Sequence, residues 1–387
     1  MISKRTALIV LFLIFIFSFV SSYSIFALKT NETIFSPLSN YQPPKNNNGL
    51  PEEDNEPKTE ECPINGAFYS KTQKEKWEKR RPLGVMIENH VEARPQSGLS
   101  SADVVFEAVA EGGITRFLGV FYCQDASYIG PIRSARIYFI KMLQGFGNYP
   151  LYAHVGGANT PGPADALGEI RKLGWANYND LNQFSVPFPY FWRDYERLSG
   201  RAIEHTVYSS TAKLWQYAKE KRNLTNIDED GVSWDKNYEK WSFKNDEKIE
   251  LRGNINKIDF GFWDNLASDF SVVWNYDKKS NQYLRVNGGK AHLDKNNGKQ
   301  ISTKNVIIVF AKESPANDGY EGGHLLYKII GKGEVIVFQD GKAIKGTWEK
   351  EDEESQIKFY DENNKEISLV RGQVWIEILP IGNKVVY

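Results

Sequence analysis

DVVFEAVAEGGITRFLGVFY, residues 103–122, is the stretch that decides the fold of this chain. Apolar residues dominate both sides of Gly112-Gly113, and paired glycines are typical of the two-residue loop of a β-hairpin. We therefore predict two antiparallel strands, over residues 103–110 and 114–122. The preceding apolar segment, residues 83–88, is predicted to be another strand.

The hairpin also predicts which side chains meet. With a two-residue loop, Glu111 faces Ile114 and Val109 faces Arg116, and successive side chains point to opposite faces of a strand. Glu107 and Glu111 are then expected to share a face with Arg116, and both are within reach of that long side chain.

A helix is predicted over residues 132–146, with Pro131 as a residue suited to a first turn. Arg133 and Arg136 would then point to the same side of that turn. Cations are unfavourable at a helix N-terminus, which already carries positive partial charge. Something negative is therefore expected beside them, either the hairpin carboxylates or an anionic ligand.

Two interpretations of these charges remain open at this point. In one, Glu107, Glu111 and the arginines form a partly buried ion-pair network that fixes the helix on the sheet. In the other, Arg116, Arg133 and Arg136 line a pocket for an anion or polar ligand, because helix N-termini bind phosphate and carboxylate groups readily.

The rest of the body predicts an α+β fold of two sheets with helices against one face. Further helices are expected over residues 163–173 and 212–221. Beyond residue 260 the pattern is rich in strands, at residues 271–276, 283–286, 306–310, 334–338 and 374–378.

The composition suits a packed globular body, since 41% of the 387 residues are hydrophobic and 25% are charged. A chain of this length can hold two ordinary domains or one large one. The 48 basic and 49 acidic residues give a net charge of −1, which argues against binding nucleic acid. The two cysteines, Cys62 and Cys123, make neither a metal site nor a disulfide framework. They either form one bridge or remain two free thiols, because spacing does not decide between these states.

An apolar run at residues 7–20 follows Lys4 and Arg5 and resumes at residues 25–28. The first part has the length of a signal-peptide core, and the whole is long enough to span a membrane. We predict an uncleaved signal anchor over residues 1–28, with a cleaved signal peptide as the alternative. The protein is then expected in the cell membrane as a single-pass protein with its body outside the cytoplasm, or secreted if the signal is cleaved.

Residues 29–66 are rich in Asn, Pro, Glu and Lys, a composition that predicts a disordered linker. We divide the remaining body into residues 67–250 and a strand-rich part, residues 251–387.

Several motifs of the body resemble the YerB-like lipoproteins, a family of bacterial envelope proteins with a domain of unknown function in N- and C-terminal parts. The first group comprises GVMIENH at 84–90, ARPQSGL at 93–99, ADVVFE at 102–107, EGGITRFL at 111–118 and IGPIRSAR at 129–136. The second group comprises KNVI at 304–307, GTW at 346–348 and GQVWI at 372–376.

The resemblance implies a three-layer β-β-α sandwich and no established activity. It also implies a lipid-modified cysteine directly after the signal sequence. Here no cysteine follows the apolar run, and Cys62 lies far downstream. We therefore expect a protein anchor rather than a lipid anchor.

Other candidate chemistry is sparse. His154 ends an apolar stretch just before Gly156-Gly157 and is a candidate site residue, with a structural histidine as the alternative. No two of the 5 histidines stand at metal-ligand spacing, so the sequence predicts neither a metal site nor a cofactor. There is no Gly-x-Ser-x-Gly elbow and no phosphate loop. Glu107 and Glu111 would lie about 13 Å apart along a regular strand, which is wide for a catalytic carboxylate pair.

The leading hypothesis is a non-enzymatic, membrane-tethered envelope protein that binds an anionic or polar envelope ligand, or a protein partner, through an Arg/Glu face. One alternative is a hydrolase or transferase acting on a cell-wall glycan or phosphodiester. The other is a structural interaction protein without a ligand site. The candidate ligand-binding residues are Glu107, Glu111, Arg116, Arg133, Arg136 and His154.

Overall fold

A computed structural model describes residues 56–387, apart from the side chain of Asn265. The predicted signal anchor, residues 1–28, and residues 29–55 of the predicted linker lie outside the described residues. Within residues 56–387, no helix is both long and apolar enough to cross a membrane. The described part is a mixed α/β structure in which sheets predominate over a few short helices.

The helices of the described part are, in chain order, α1 (Lys71–Trp77), α2 (Ile137–Gln144), α3 (Ala166–Lys172), α4 (Thr211–Arg222) and α5 (Ala267–Phe270). The strands are β1 (Glu60–Glu61), β2 (Phe68–Tyr69), β3 (Leu83–Glu88), β4 (Val104–Glu111), β5 (Ile114–Phe121), β6 (Leu151–His154), β7 (Asp180–Asn182), β8 (Trp192–Arg193), β9 (Val207–Tyr208), β10 (Phe243–Lys244), β11 (Lys257–Phe260), β12 (Val272–Asp277), β13 (Gln282–Asn287), β14 (Lys290–Ala291), β15 (Ser302–Thr303), β16 (Asn305–Pro315), β17 (Leu325–Lys328), β18 (Gly331–Gln339), β19 (Lys342–Lys350), β20 (Lys358–Asp361), β21 (Leu369–Val370), β22 (Val374–Pro380) and β23 (Val385–Val386).

A large central sheet takes strands from both parts of the sequence. Its order is β20-β19-β18-β16-β22-β4-β5-β3-β6-β7, with β17 added against β16. Strand β22 lies between β16 and β4 and runs parallel to both. It is buried from Val374 to Leu379, as expected of a central strand covered on both faces. Strand β22, near the C-terminal end of the chain, therefore joins the two halves of the central sheet.

A second, smaller sheet has the order β14-β13-β12-β11-β23, with β15 paired to β13. Two neighbouring residues of β4 show how the layers meet. Phe106 packs edge-on against Phe146, which lies just after α2. The next residue, Glu107, contacts Arg285 of β13. Neighbouring residues of a strand point to opposite faces. The small sheet and helix α2 therefore pack on opposite faces of the central sheet.

The interface between the two sheets contains a fully buried ion pair. Arg285 bonds to Glu107, and both side chains are completely inaccessible. Glu107 also accepts hydrogen bonds from Thr115 (2.6 Å) and Asn89 (3.1 Å). The guanidinium lies 5.0 Å from the ring centre of Trp375, a cation–π arrangement. The Glu107 carboxylate thus has a counter-ion and two further donors, as a buried charge requires.

Two further titratable groups complete this buried network. Arg285 donates to His292 Nδ1 (2.9 Å), which leaves the Nε2–H of His292 to Gln96 (2.7 Å). Burial, followed by the charge of Arg285, holds the pKa of His292 well below its usual value. Glu377 accepts from Trp274 (3.1 Å), and burial beside Glu107 raises its pKa well above that of a free glutamate. All of these side chains are buried, so the network is shielded from solvent.

Most local predictions are confirmed. The strand predicted at residues 83–88 is β3, and the hairpin strands are β4 and β5. Gly112 and Gly113 form the two-residue loop with φ values of 57° and 87°, a left-handed conformation that glycine adopts without strain. The helices predicted at 163–173 and 212–221 are α3 and α4, and the five strands predicted after residue 260 are all present.

The predicted register of the hairpin is wrong below its tip. Glu111 pairs with Ile114 as expected, but Val109 pairs with Thr115 and Ala108 pairs with Arg116. A bulge between Val109 and Glu111 inserts one extra residue in β4, and an extra residue reverses the alternation of faces. Glu107 and Glu111 therefore do not share a face, contrary to the prediction.

The start of the predicted helix at 132–146 is also wrong, because α2 begins only at Ile137, with Arg136 as its N-cap. The N–H groups of Ile132 and Arg133 bond to the carbonyls of Val207 and Met86, respectively. These contacts with neighbouring strands keep the segment extended. Arg133 is therefore outside the helix rather than in its first turn.

The folded body begins before the predicted end of the linker at residue 66. Cys62 and Ile64 are fully buried, and Glu60–Glu61 pairs with Phe68–Tyr69. Cys62 forms a disulfide with Cys123, with the two Cα atoms 6.1 Å apart. This bond resolves the alternative that the sequence left open. It also leaves neither cysteine available for a lipid.

Replacement of Arg285 by Ala tests the importance of the buried ion pair. Loss of the cation leaves the Glu107 carboxyl group buried without its partner, and breaking a buried ion pair typically costs about 3–5 kcal/mol. We expect the free energy of unfolding, measured by urea denaturation, to fall by this amount. Arg171→Ala is the control, because Arg171 is 64% exposed and only weakly paired. Equal effects of the two changes would contradict a structural role for the pair.

Candidate functional site

A cavity of about 480 Å³ opens beside the tip of the β4–β5 hairpin. It lies between the end of β3, the hairpin, the extended segment before α2 and the 3₁₀ turn Ile203–His205. Its acidic and basic lining residues, histidines included, are Glu88, His90, Glu92, Glu111, Arg116, Arg133, Arg136, Glu204 and His205. Four of the six candidate residues from the sequence therefore line one cavity.

Strand register places two of these side chains together. Glu88, the last residue of β3, pairs with Arg116 of β5. Paired residues of antiparallel strands project to the same face. The bulge in β4 then turns Glu111 toward Arg116, to which it bonds at 2.9 Å. An irregularity that the sequence did not predict thus assembles this part of the site.

Glu111 forms the centre of the arginine end of the cavity. It pairs with Arg116 and with Arg136, both of which are more than nine-tenths buried. Arg116 also donates to the Ser134 carbonyl (3.1 Å), and Arg136 donates to the Ala135 carbonyl (2.6 Å). Burial, followed by the charge of nearby Arg133, lowers the pKa of Arg116 to about 10. Burial likewise lowers the pKa of Arg136, and both arginines stay cationic at neutral pH.

Glu88 organises the opposite, histidine end of the cavity. It is 4% exposed, accepts from Arg133 Nε (3.1 Å) and contacts Nδ1 of His205 (2.8 Å). His205 Nε2 in turn lies 3.4 Å from a carboxylate oxygen of Glu92. His90 stacks on His205 with ring centres 5.0 Å apart. This end brings together residues from the turn after β3 and from a segment much later in the chain.

The two ends differ in their balance of charge. Two arginines surround the single carboxylate Glu111 at one end. At the other end the carboxylates of Glu88, Glu92 and Glu204 are accompanied by Arg133 alone among the arginines of the cavity. Positive charge is therefore concentrated around Glu111, and negative charge around His205.

Arg133 differs from the other two arginines in its exposure. Its side chain is 28% exposed, against 9% for Arg116 and 7% for Arg136. Only its Nε makes a hydrogen bond within residues 56–387, to Glu88. The two terminal nitrogens of the guanidinium remain available to a ligand. Two parallel N–H donors match the oxygens of a carboxylate or phosphate.

The other two candidate residues lie elsewhere. Glu107 is held in the closed network between the sheets, because the bulge turns it away from Glu111. His154 is fully buried, contacts the Gly156 carbonyl through Nδ1 (2.7 Å) and pairs through Nε2 with Asp180 (2.6 Å). Both ring nitrogens are therefore occupied, and neither residue lines the cavity.

The sequence interpretation missed Glu88, His90, Glu92 and His205. A signal existed for the first two, since Glu88 is the last residue of the strand predicted at 83–88 and His90 lies two residues beyond it. No local pattern connects His205 to His90, because their contact depends on how distant segments fold together.

Comparison with known proteins identifies the family. The model for "Protein of unknown function (DUF3048) N-terminal domain" matches residues 70–225, and the model for the corresponding C-terminal domain matches residues 262–376. The Bacillus subtilis (strain 168) protein named "Putative lipoprotein YerB" is 31% identical over 303 residues, which cover 78% of this chain and 82% of that protein.

The crystal structure of YerB from Bacillus subtilis is similar to this structure, with a TM-score of 0.66 and 27% sequence identity. The match covers 85% of this chain and 100% of that chain. The fold and these matches define a sheet-rich α/β protein of a class without an assigned activity. The chain belongs to the DUF3048 family, the YerB-like family that its sequence motifs resemble.

Arg133 and Arg136 provide a matched pair for separating structural from accessible charges. Arg136→Gln removes a buried partner of Glu111, and loss of a charged hydrogen bond costs about 1.5–3 kcal/mol. Arg133→Gln removes a partly exposed ion pair, which contributes about 0–1 kcal/mol. We expect the Arg136 variant to show the clearly lower free energy of unfolding in urea. If the Arg133 variant lost as much stability, both arginines would have to be structural.

Proposed function

We propose that this protein is a non-enzymatic envelope protein that binds an anionic group of an envelope ligand in the cavity beside the β4–β5 hairpin. The anionic group is a carboxylate or a phosphate, and Arg133 is its main contact. The observation that supports this proposal is that the partly exposed Arg133 lines the cavity and that its terminal nitrogens have no hydrogen-bond partner within residues 56–387.

The remaining arginines have a supporting role in this proposal. Arg116 and Arg136 line the cavity but are bound to Glu111, so their positive charge acts mainly through the local field. Such fixed charges attract an anion without any rearrangement. Arg133 then supplies the direct, bidentate contact that fixes the orientation of the ligand.

A purely structural role accounts less well for Arg133 than for the other charges. The Glu107–Arg285 network is closed and inaccessible, as a structural ion pair is expected to be. Arg133 is instead partly exposed and uses only one of its three nitrogens. An enzymatic role lacks an equivalent observation, because Glu88 and Glu111 are both engaged in ion pairs.

We further propose that the protein is held at the cell membrane with its folded body outside the cytoplasm. The basic residues and apolar run at the N-terminus support a single-pass anchor, and a relative named as a lipoprotein supports an envelope location. The single disulfide agrees with an oxidising compartment. The helix and small sheet on opposite faces of the central sheet support the three-layer β-β-α sandwich expected from the family resemblance.

Titration with two small anions tests the proposed binding. The full chain in detergent, stripped of metal by a chelator, is titrated with inorganic phosphate and with the dipeptide alanyl-alanine, and heat is measured. We expect saturable binding of at least one anion. Arg133→Gln should weaken it about 10–100-fold, since a charged hydrogen bond contributes about 1.5–3 kcal/mol. Phosphate binding alone would indicate a phosphate-bearing ligand, and dipeptide binding alone would indicate a peptide carboxylate.

Two control variants sharpen this experiment. Arg133→Lys keeps the charge but loses the planar pair of donors, so we expect an intermediate affinity. Arg171→Gln removes an exposed arginine that does not line the cavity, so affinity should not change. Absence of saturable binding, or equal binding by the Arg133→Gln variant and the native protein, would overturn the proposal.

A further inference from the structure

Two histidines and a carboxylate meet at one end of the cavity. The potential ligand atoms of His90, Glu92 and His205 all lie within 4.8 Å of one another. His205 is buried, whereas His90 and Glu92 are partly exposed. Imidazole nitrogens and carboxylate oxygens are common ligands of zinc in proteins.

We propose that His90, Glu92 and His205 bind a zinc ion, with the fourth coordination position open to the cavity. Imidazole ligands favour zinc over magnesium or calcium, which prefer oxygen ligands. Three protein ligands with one open position are typical of zinc sites at which a further molecule binds the metal. This site does not depend on the proposed anion contact of Arg133.

The orientation of His205 supports this assignment. Its Nδ1 lies 2.8 Å from the Glu88 carboxylate, so the Nδ1–H donates to Glu88 and the lone pair of Nε2 points the other way. A carboxylate that holds the second nitrogen of a histidine is the usual outer-shell arrangement at protein zinc sites. Glu88 thus prepares His205 as a metal ligand without itself being one.

The separation of His205 and Glu92 supports a shared cation. His205 Nε2 and Glu92 Oε2 are 3.4 Å apart, and both atoms are electron-rich when the imidazole is neutral. Two ligands of a tetrahedral zinc ion, each about 2.0–2.2 Å from the metal, lie roughly 3.3–3.5 Å apart. The observed distance therefore matches one edge of a zinc coordination tetrahedron. A proton on Nε2 is the competing explanation for this contact.

His90 is the ligand that must move most. Its ring is parallel to that of His205, at an interplanar angle of 7°, and its Nδ1 accepts only a long hydrogen bond from the Glu92 N–H (3.2 Å). Because the ring is partly exposed, it can rotate toward the metal at the loss of that one contact.

The charge at this end of the cavity also favours a cation. Glu88, Glu92 and Glu204 contribute three carboxylates, and Arg133 is the one arginine paired with them in the cavity. A divalent ion would therefore offset an excess of negative charge. Only side chains in contact with the cavity take part, so the metal can enter from solvent.

Metal titration tests this proposal directly. The chelator-treated full chain, without a histidine tag, is titrated with Zn²⁺, Co²⁺ and Mg²⁺ in the absence of phosphate. We expect one Zn²⁺ per chain, no binding of Mg²⁺, and a visible Co²⁺ spectrum of a tetrahedral or five-coordinate site. Absence of stoichiometric Zn²⁺ binding would overturn the proposal, and would favour the proton as the bridge between His205 and Glu92.

Variants locate the metal. Loss of an outer-shell carboxylate typically costs about 10–100-fold in metal affinity, and we expect Glu88→Gln to fall in this range. His90→Ala and Glu92→Gln remove ligands and should weaken zinc binding at least as strongly. Both residues are partly exposed, so these variants should fold even if a His205 variant does not. Glu250→Gln is the matched control for Glu92→Gln, because Glu250 also lies in the first turn of a 3₁₀ helix but is exposed and outside the cavity.

The two proposals can fail separately. Phosphate and dipeptide are titrated against metal-free protein, whereas zinc is titrated without either anion. Zinc binding that survives both His90→Ala and Glu92→Gln would place the metal elsewhere and refute this site. That result would leave the contact between Arg133 and an anion untouched.

Discussion

The structure depends on one buried contact, the ion pair between Arg285 of the small sheet and Glu107 of the central sheet. Neither side chain is accessible to water, so each charge needs a partner within the protein, and the two charges supply it to each other across the sheets. The pair fixes the position of β13 over β4. Around it, Trp274 and Trp375 pack edge-to-face at 5.2 Å, one from each sheet. Apolar packing supplies the bulk of the burial, and the ion pair determines which surfaces can meet.

This network also positions the cavity. The residues Glu88, Asn89 and His90 lie at the end of β3. Asn89 bonds to Glu107 of the buried network, whereas Glu88 and His90 line the cavity. Asn89 donates to Glu107 and accepts from Arg94 Nε (3.0 Å) and from Asn287 (2.8 Å), so its orientation is fixed from several directions. Glu88 and His90 are therefore presented to the cavity by a rigid support. The backbone that carries both residues is thus held in place, while the partly exposed ring of His90 is still able to rotate.

The bulge in β4 separates two carboxylates that a regular strand would place together. Glu107 and Glu111 are four residues apart, and in an uninterrupted strand both would project to the same face. The extra residue near Ala110 directs Glu107 to the sheet interface and Glu111 to the cavity. One irregularity thus divides the charges of the hairpin between a closed structural network and an open site.

Features that depend on local sequence patterns are predicted correctly, whereas features that depend on contacts between distant segments are not. Strand β3, the Gly112-Gly113 loop and helices α3 and α4 depend on local pattern, and the sequence predicts them well. The start of α2 depends on hydrogen bonds from Ile132 and Arg133 to Val207 and Met86, which no local pattern contains. The bulge and the meeting of His90 with His205 likewise depend on tertiary packing. The sequence predicts Arg133 in the site because it would lie in the first turn of a helix. In the structure Arg133 lines the cavity for another reason, since neighbouring strands hold its backbone extended. Its guanidinium therefore does not lie in the first turn of α2. An arginine in that position needs no compensating carboxylate for the sake of the helix, and its two terminal nitrogens have no hydrogen-bond partner within residues 56–387.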